Sequence, residues 1–376
     1  MATHRKVLII GGGITGMCTA IQLRKLQYDV ELVEIDPNWR IDGAGITISG
    51  PTLRAFKEVG VIADIMEQGA CTDNLTIGLA NGQVVAQIPT QRVAGPDIPG
   101  TGGILRPVLA QILAKATRAS GATVRLGLTY TAIEQSNGKV HVTFTDGTSS
   151  TYDLVVAADG VTSKTRSLLL PHLPKPEFTG QGSWRAVVPR PAEIQNASFY
   201  ISKTTKAGIN PVSKTEMYLF CLQRMETDEF IPKETWPARL AALLSDFSGV
   251  VGQIRDGLNE HSHILYRPLH KLMVAAPWHV GNIVFVGDTM HATTPHLASG
   301  AGIGVEDAIV LAQELDRHEN IVDAFTAFAS RRYERCKLVV DSSVKLGVLE
   351  NLGTEDAKQE HTQLMMKAVQ ALAAPI

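Results

Sequence analysis

KVLIIGGGITGMCTAIQLRKLQYDVELVE, residues 6–34, is the stretch on which the fold turns. An apolar run, Val7 to Ile10, ends at a glycine cluster; Ile14, Met17 and Ile21 then share one helical face, and a second apolar run closes on Glu34. This is a βαβ unit whose turn carries Gly11-x-Gly13-x-x-Gly16. Each glycine has a task. Gly11 permits a tight turn, Gly13 lets backbone approach a pyrophosphate, and Gly16 lets the helix lie close to its strand. The helix N-terminus, with Ile14 and Thr15, presents free N–H groups and partial positive charge to phosphates. Glu34, about 20 residues on, suits a ribose diol. The motif binds a dinucleotide without choosing between NAD and FAD.

Outward from this unit the α/β character continues. Residues 104–160 predict a helix from Pro107 to Ser120, strands near Thr123–Leu126 and Val140–Thr145 joined by the Asn137-Gly138 turn, and a strand at Leu154–Ala158. Between 173 and 272 proline, lysine and threonine are frequent, and alternating runs such as EMYLFCL (216–222) read as strands facing a pocket on one side. Tyr218 and Phe220 share a face there and either stack on an aromatic substrate or fill core. Asn282–Val286 reads as a buried strand, and Val305, Ala308, Ile309, Ala312 and Leu315 mark a helix packed on a sheet. The dinucleotide domain thus resumes late, and the middle of the chain is an insertion.

Composition narrows the classes. The 376 residues predict about two domains, and 44% hydrophobic with 19% charged residues is globular rather than disordered. A formal charge of −2 gives no field to attract nucleic acid or anionic lipid. The four cysteines, Cys18, Cys71, Cys221 and Cys336, have neither metal-site spacing nor disulfide density, which predicts a reducing cytoplasm and no metal. MATHRK runs straight into a strand, so no secretion signal is expected, and no apolar run approaches the ~20 residues that span a bilayer. Hydrolase-elbow, zinc-protease and P-loop signatures are absent.

A second motif decides the cofactor. VFVGDTMHATTPHLASGAGIGVEDA, residues 284–308, is a strand ending in Gly287-Asp288, then a glycine-rich loop that opens a helix. Asp288 suits a sugar-like chain, and the helix end at Gly300, Ala301 and Gly302 suits a group that becomes negative, as reduced flavin does. An NAD enzyme has no use for this element. His291 and His296 flank the loop as acid–base candidates, with a structural role as the competing reading. Adjacent Glu306 and Asp307 point apart on a helix and read as structural.

With these motifs the chain resembles the class A flavoprotein monooxygenases, the group of para-hydroxybenzoate hydroxylase and salicylate hydroxylase. DLVVAADGVTSKTR (153–166) is similar to that family's DG motif, RPVLAQIL (106–113) to the helix whose Arg contacts FAD, and GAGI (43–46) to the segment beside the flavin ring. The resemblance implies a Rossmann-like, glutathione reductase-like FAD-binding domain in 1–75, 104–172 and 273–345, a substrate-binding β-sheet in 76–103 and 173–272, and a helical C-terminal segment in 346–376. It implies FAD contacts from Gly11, Gly13, Ile14, Thr15, Gly16, Glu34, Arg40, Gly45, Ile46, Arg106, Tyr130, Asp159, Asp288, Gly300, Ala301 and Gly302. Pro295 would lie at the reacting edge with His291 and His296, and Tyr218, Phe220 and Trp184 would meet substrate.

The implied activity is single-component hydroxylation of a small aromatic or heteroaromatic ring by a flavin C4a-hydroperoxide, with NADH or NADPH and O2 as co-substrates, in a monomer or homodimer that binds no nucleic acid and no membrane. Epoxidation, Baeyer–Villiger oxidation, antibiotic inactivation and flavin binding without turnover stay open as alternatives. One departure stands out: the usual Gly-Gln-Gly before the late helix is Ala298-Ser299-Gly300 here.

Overall fold

The computed structural model describes residues 5–40, 43–202 and 205–376. Among them, four sheets form. The largest apolar runs build a six-stranded sheet in the order His279–Val280, Ile283–Phe285, Leu154–Ala157, Lys6–Ile10, Asp29–Glu34 and Thr123–Leu126. All neighbours are parallel except the first pair. Strands buried on both faces must be apolar throughout, and Val7, Leu8, Leu154, Val155, Ile283 and Val284 are fully buried. Helix Ile14–Lys25 packs on the sheet, and helices Arg106–Ala119 and Gly300–Arg317 pack against that helix. A Cβ on Gly16 would stand 2.0 Å from the Gly11 carbonyl oxygen, so only glycine lets the first helix seat on its strand.

A seven-stranded sheet draws its strands from two stretches of chain. Its order is His263–Lys271, Glu177–Pro189, Glu216–Arg224, Lys206–Pro211, Ala197–Ile201, Asn74–Leu79 and Val84–Pro89. One face packs on helices Trp236–Leu243 and Gly249–Gly257 through Trp184, Leu219, Leu240 and Val251. The other faces the first domain across a cleft.

Three sequence expectations are corrected. The Asn137-Gly138 turn joins Tyr130–Ser136 to Lys139–Phe144 in a small antiparallel sheet, because the intervening strand was too polar to register. Thr101–Leu105 pairs with Gly45–Ser49 and Ala70–Thr72 rather than with the seven-stranded sheet. A single helix, Ile321–Leu352, runs through the boundary expected at 345, and Glu355–Ala373 folds back on it. No described helix is long and apolar enough to cross a membrane.

Candidate active site

Two cavities of about 460 and 450 Å³ adjoin, sharing Gly13, Ala158 and Gly160 in their walls. The first lies over the ends of the parallel strands, where such folds bind nucleotides. Gly11, with φ +106°, makes the tight turn, and nothing lies within 4 Å of where a Cβ on Gly13 would be. The helix that starts there has no capping side chain and no acid in its first turn, so its N–H groups remain available. Glu34 accepts hydrogen bonds from Gly12 N at 2.7 Å and Asp36 N at 2.9 Å, which fixes its carboxylate at the rim. Tyr130 and Lys164 close the far wall, with Lys164 Nζ 4.9 Å from the tyrosine ring centroid.

Two residues assigned to the cofactor do other work. Asp159 borders this cavity, but its carboxylate accepts from Ser163 Oγ at 2.5 Å, Thr165 N at 2.9 Å and Thr165 Oγ1 at 2.8 Å, so it shapes the loop. Arg40 lines neither cavity; it is exposed and pairs with Asp36 at 3.4 Å.

The second cavity is bounded by Ile14, Thr15, Gly45, Ile46, Arg106, Asp288, Pro295, Gly300 and Ala301 on one side and by the seven-stranded sheet on the other. Here too a helix begins, Gly300–Arg317, without a side-chain cap or first-turn acid. Asp288 faces the open cleft. Crowding by protein pushes its carboxyl pKa up while His291 and Arg106 pull it down, and water reaching its exposed side chain offsets part of that push. Arg106 lies deeper, and its buried Nε has no protein partner. Burial, then Arg185, push the Arg106 guanidinium pKa down, and Asp288 opposes them. Gly302 turns away: a Cβ there would meet Thr52 Oγ1 at 2.2 Å, so it serves helix packing. Ala298 holds a left-handed backbone, φ +48°, where glycine is favoured; nothing in the structure explains the alanine at this point of Ala298-Ser299-Gly300.

His291 does not reach the cleft. It is fully buried, with Nε2 2.6 Å from Asp307 Oδ2, and Asp307 also accepts from Gly287 N and Arg332 Nε, both at 2.8 Å. Its acid–base candidacy is therefore corrected: it braces the turn that presents Asp288. Asp307, His291 and Cys336 offer ligand atoms within 4.8 Å of one another, but Arg332 already holds Asp307. His296, by contrast, borders the cavity beside Pro295.

The sheet side is aromatic with two cations, Arg185 and Lys206, of which Lys206 is paired with Glu350. Tyr218 and Phe220 face the cavity with centroids 5.5 Å apart, and Phe199 meets Phe220 edge-on at 5.7 Å. Tyr218 Oη is 2.7 Å from Thr47 Oγ1, and its ring lies where a Cβ on Gly45 would be. Trp184 is corrected: it is fully buried on the opposite face, 4.6 Å from Tyr266 by ring centroid, and its neighbours Ser183 and Arg185 line the cavity instead. Arg185, Lys206 and Thr294 were missed. The sequence held a signal for Arg185, a lone charge in SWRAVV (183–188), an otherwise uncharged strand.

These residues fit FAD. Two uncapped helix ends, an orphaned buried guanidinium nitrogen and an acid at each end of a long cleft match a diphosphate, a ribityl chain and a ribose. Such a cleft belongs to a flavin-dependent oxidoreductase. Residues 4–342 match the family profile described as FAD binding domain. The chain is 32% identical over 344 residues to YetM of Bacillus subtilis (strain 168), a provisionally named FAD-dependent monooxygenase, covering 91% of this chain and 93% of that one. It is 28% identical to salicylate hydroxylase of Pseudomonas putida, covering 92% and 86%. HpxO of Klebsiella pneumoniae, solved with FAD and uric acid, superposes with a TM-score of 0.84 at 22% identity over 99% of this chain and 94% of that one. The chain belongs to the class A FAD-dependent aromatic hydroxylase family, and it is a flavoprotein monooxygenase.

Glu34→Ala should weaken FAD binding by roughly 1–3 kcal/mol, the worth of a hydrogen bond to a charged acceptor. Fluorescence titration of the apoprotein with FAD reads this, and wild-type affinity in the variant would remove the ribose role.

Proposed function

We propose that the protein hydroxylates a small aromatic or heteroaromatic ring bearing an anionic group, with NADH or NADPH and O2 as co-substrates. The observation that carries this reading is Arg185, a cation facing an aromatic-walled cavity with no carboxylate partner among the described residues. A half-buried guanidinium that faces a cavity without a counter-charge is complemented by a ligand anion. FAD, when bound, supplies the electrons that activate dioxygen and delivers one oxygen atom to the ring.

The chain's own residues do the rest. Gly11, Gly13 and the first helix end hold the diphosphate, Glu34 the ribose, and Asp288 and Arg106 the ribityl region. The helix end at Gly300 and Ala301 places N–H donors where negative charge collects. Phe199, Tyr218, Phe220, Leu222 and Leu269 exclude water around the ring.

The test is NADH and NADPH oxidation by FAD-loaded protein against a panel of hydroxylated benzoates and pyridine carboxylates. We expect a subset to stimulate oxidation, with one oxygen atom from ¹⁸O2 in the product. Arg185→Ala should raise KM for the stimulating acid about 10- to 100-fold with FAD content unchanged. A panel without any stimulating ring, or an unaltered KM in the variant, sinks the respective half of the proposal.

A further inference from the structure

A chain of polar groups leaves the ring pocket in a direction that cofactor binding does not explain. Thr294, 1% exposed, borders the pocket, and its Oγ1 lies 2.9 Å from His296 Nδ1. His296 Nε2 is 3.5 Å from Glu350 Oε2, an ion-pair distance rather than a formed hydrogen bond. Glu350 Oε1 is 3.1 Å from His361 Nε2, and Lys206 Nζ bonds the same oxygen. These groups come from separate elements: the loop after strand Ile283–Phe285, strand Lys206–Pro211, and helices Ile321–Leu352 and Glu355–Ala373. The His296 side chain is 1% exposed and that of His361 is 21% exposed, so the chain begins in the pocket and ends at solvent.

The geometry points to this chain as a proton exit for the ring substrate, with His296 as the base reached through Thr294 and Glu350 as its positioning residue. The inference rests on the hydroxylase reading, since a ring hydroxyl or ring N–H must ionise to make the ring electron-rich. The substrate's O–H or N–H bond breaks and its proton passes to Thr294 Oγ1, whose own proton moves to His296 Nδ1. The imidazolium formed is stabilised by Glu350, and its Nε2 proton passes over that carboxylate to His361 and water. No electrons are transferred: one proton leaves the substrate and one reaches solvent.

The surroundings suit this role. Burial pushes the Glu350 carboxyl pKa up, but His296, His361 and Lys206 together outweigh it, so Glu350 stays ionised. The nearby Cys221 thiol is pushed up to about 11 by burial and is neutral at working pH. Two neutral residues crowd the imidazole: a Cβ on Gly347 would stand 2.9 Å from His296 Cε1 and 2.5 Å from Gln181 Oε1. The absence of a side chain there lets the helix press its backbone on the ring and bring Glu350 into range. A purely structural tie of this helix to the sheet would be satisfied by Lys206 and Glu350 alone. It would need neither a second imidazole nor a pocket-facing hydroxyl.

The test uses FAD-loaded protein labelled with ¹⁵N-histidine. NMR should show the His296 Nε2 proton protected from solvent exchange in wild type and exchanging about tenfold faster in Glu350→Gln. Equal exchange rates overturn the proposal. His361→Gln changes a residue at the surface, and we expect it to lower kcat for the stimulating ring about tenfold, with an enlarged solvent deuterium isotope effect and unchanged KM. Unchanged kcat and isotope effect overturn the exit role. The two readings fail separately. If no ring stimulates the wild type while the NMR protection is present, the hydroxylase reading fails and the exit role falls with it. If rings stimulate and the protection is absent, the exit proposal fails alone.

Discussion

Replacing Asp307 by alanine should lower stability by about 3–5 kcal/mol, the usual cost of removing one partner from a buried ion pair. Three donors lose their acceptor at once: Gly287 N, His291 Nε2 and Arg332 Nε. Arg332 keeps Glu306 at 2.9 Å, which sets the lower end of the range. Urea unfolding of the variant and wild type, both loaded with FAD, measures the difference. A midpoint shift worth less than about 1 kcal/mol would show that the network is dispensable.

The same pair makes stability depend on pH at both extremes. Burial alone would raise the Asp307 carboxyl, but His291 and Arg332 outweigh it and hold its pKa below the ordinary carboxylate value. Its contribution is therefore full above about pH 4 and is lost as pH falls through the depressed folded-state value. His291 goes the other way: burial would lower it, but Asp307 and then Cys336 hold it well above the ordinary imidazole value. Its contribution is full below about pH 6.5 and is lost as pH rises through the raised folded-state value. Wild-type stability should thus be flat through neutrality in this respect and fall at either end. Asp307→Ala should show neither fall from this source.

Asp288→Ala should purify largely without flavin. A carboxylate accepting from a ribityl hydroxyl is worth roughly 1.5–3 kcal/mol, and the variant also leaves Arg106 without its nearest opposing charge, so FAD affinity should drop about 10- to 100-fold. The absorbance ratio of flavin to protein after gel filtration reads the loss directly. Full yellow occupancy would remove Asp288 from the cofactor site.

How legible these positions were depends on how local their signal is. Gly11, Gly13, Gly16 and Glu34 act within one βαβ unit, where steric demand on consecutive backbone atoms leaves little choice of residue, so the spacing alone places them. Asp288 and Gly300 are almost as local. Trp184 was misplaced because alternation along Glu177–Pro189 tells which residues share a face without telling which face looks into the cleft. The parity is set by Trp236 and Tyr266, which pack against Trp184 from distant segments. Glu350 was invisible for a stronger reason: its meaning comes from Lys206, His296 and His361, whose separations in the chain carry no periodicity. His291 was ambiguous because histidine in a glycine-rich loop is compatible with either catalysis or packing, and only a buried aspartate 16 positions onward resolves it.

Helix Ile321–Leu352, 32 residues and so about 48 Å in length, seats Arg332 in the nucleotide domain and Glu350 at the ring pocket. A rod pinned a third of the way along dictates where its far end arrives. Natural variation in how the guanidinium beds down would therefore surface as a change in which rings are accepted, far from any atom that touches them.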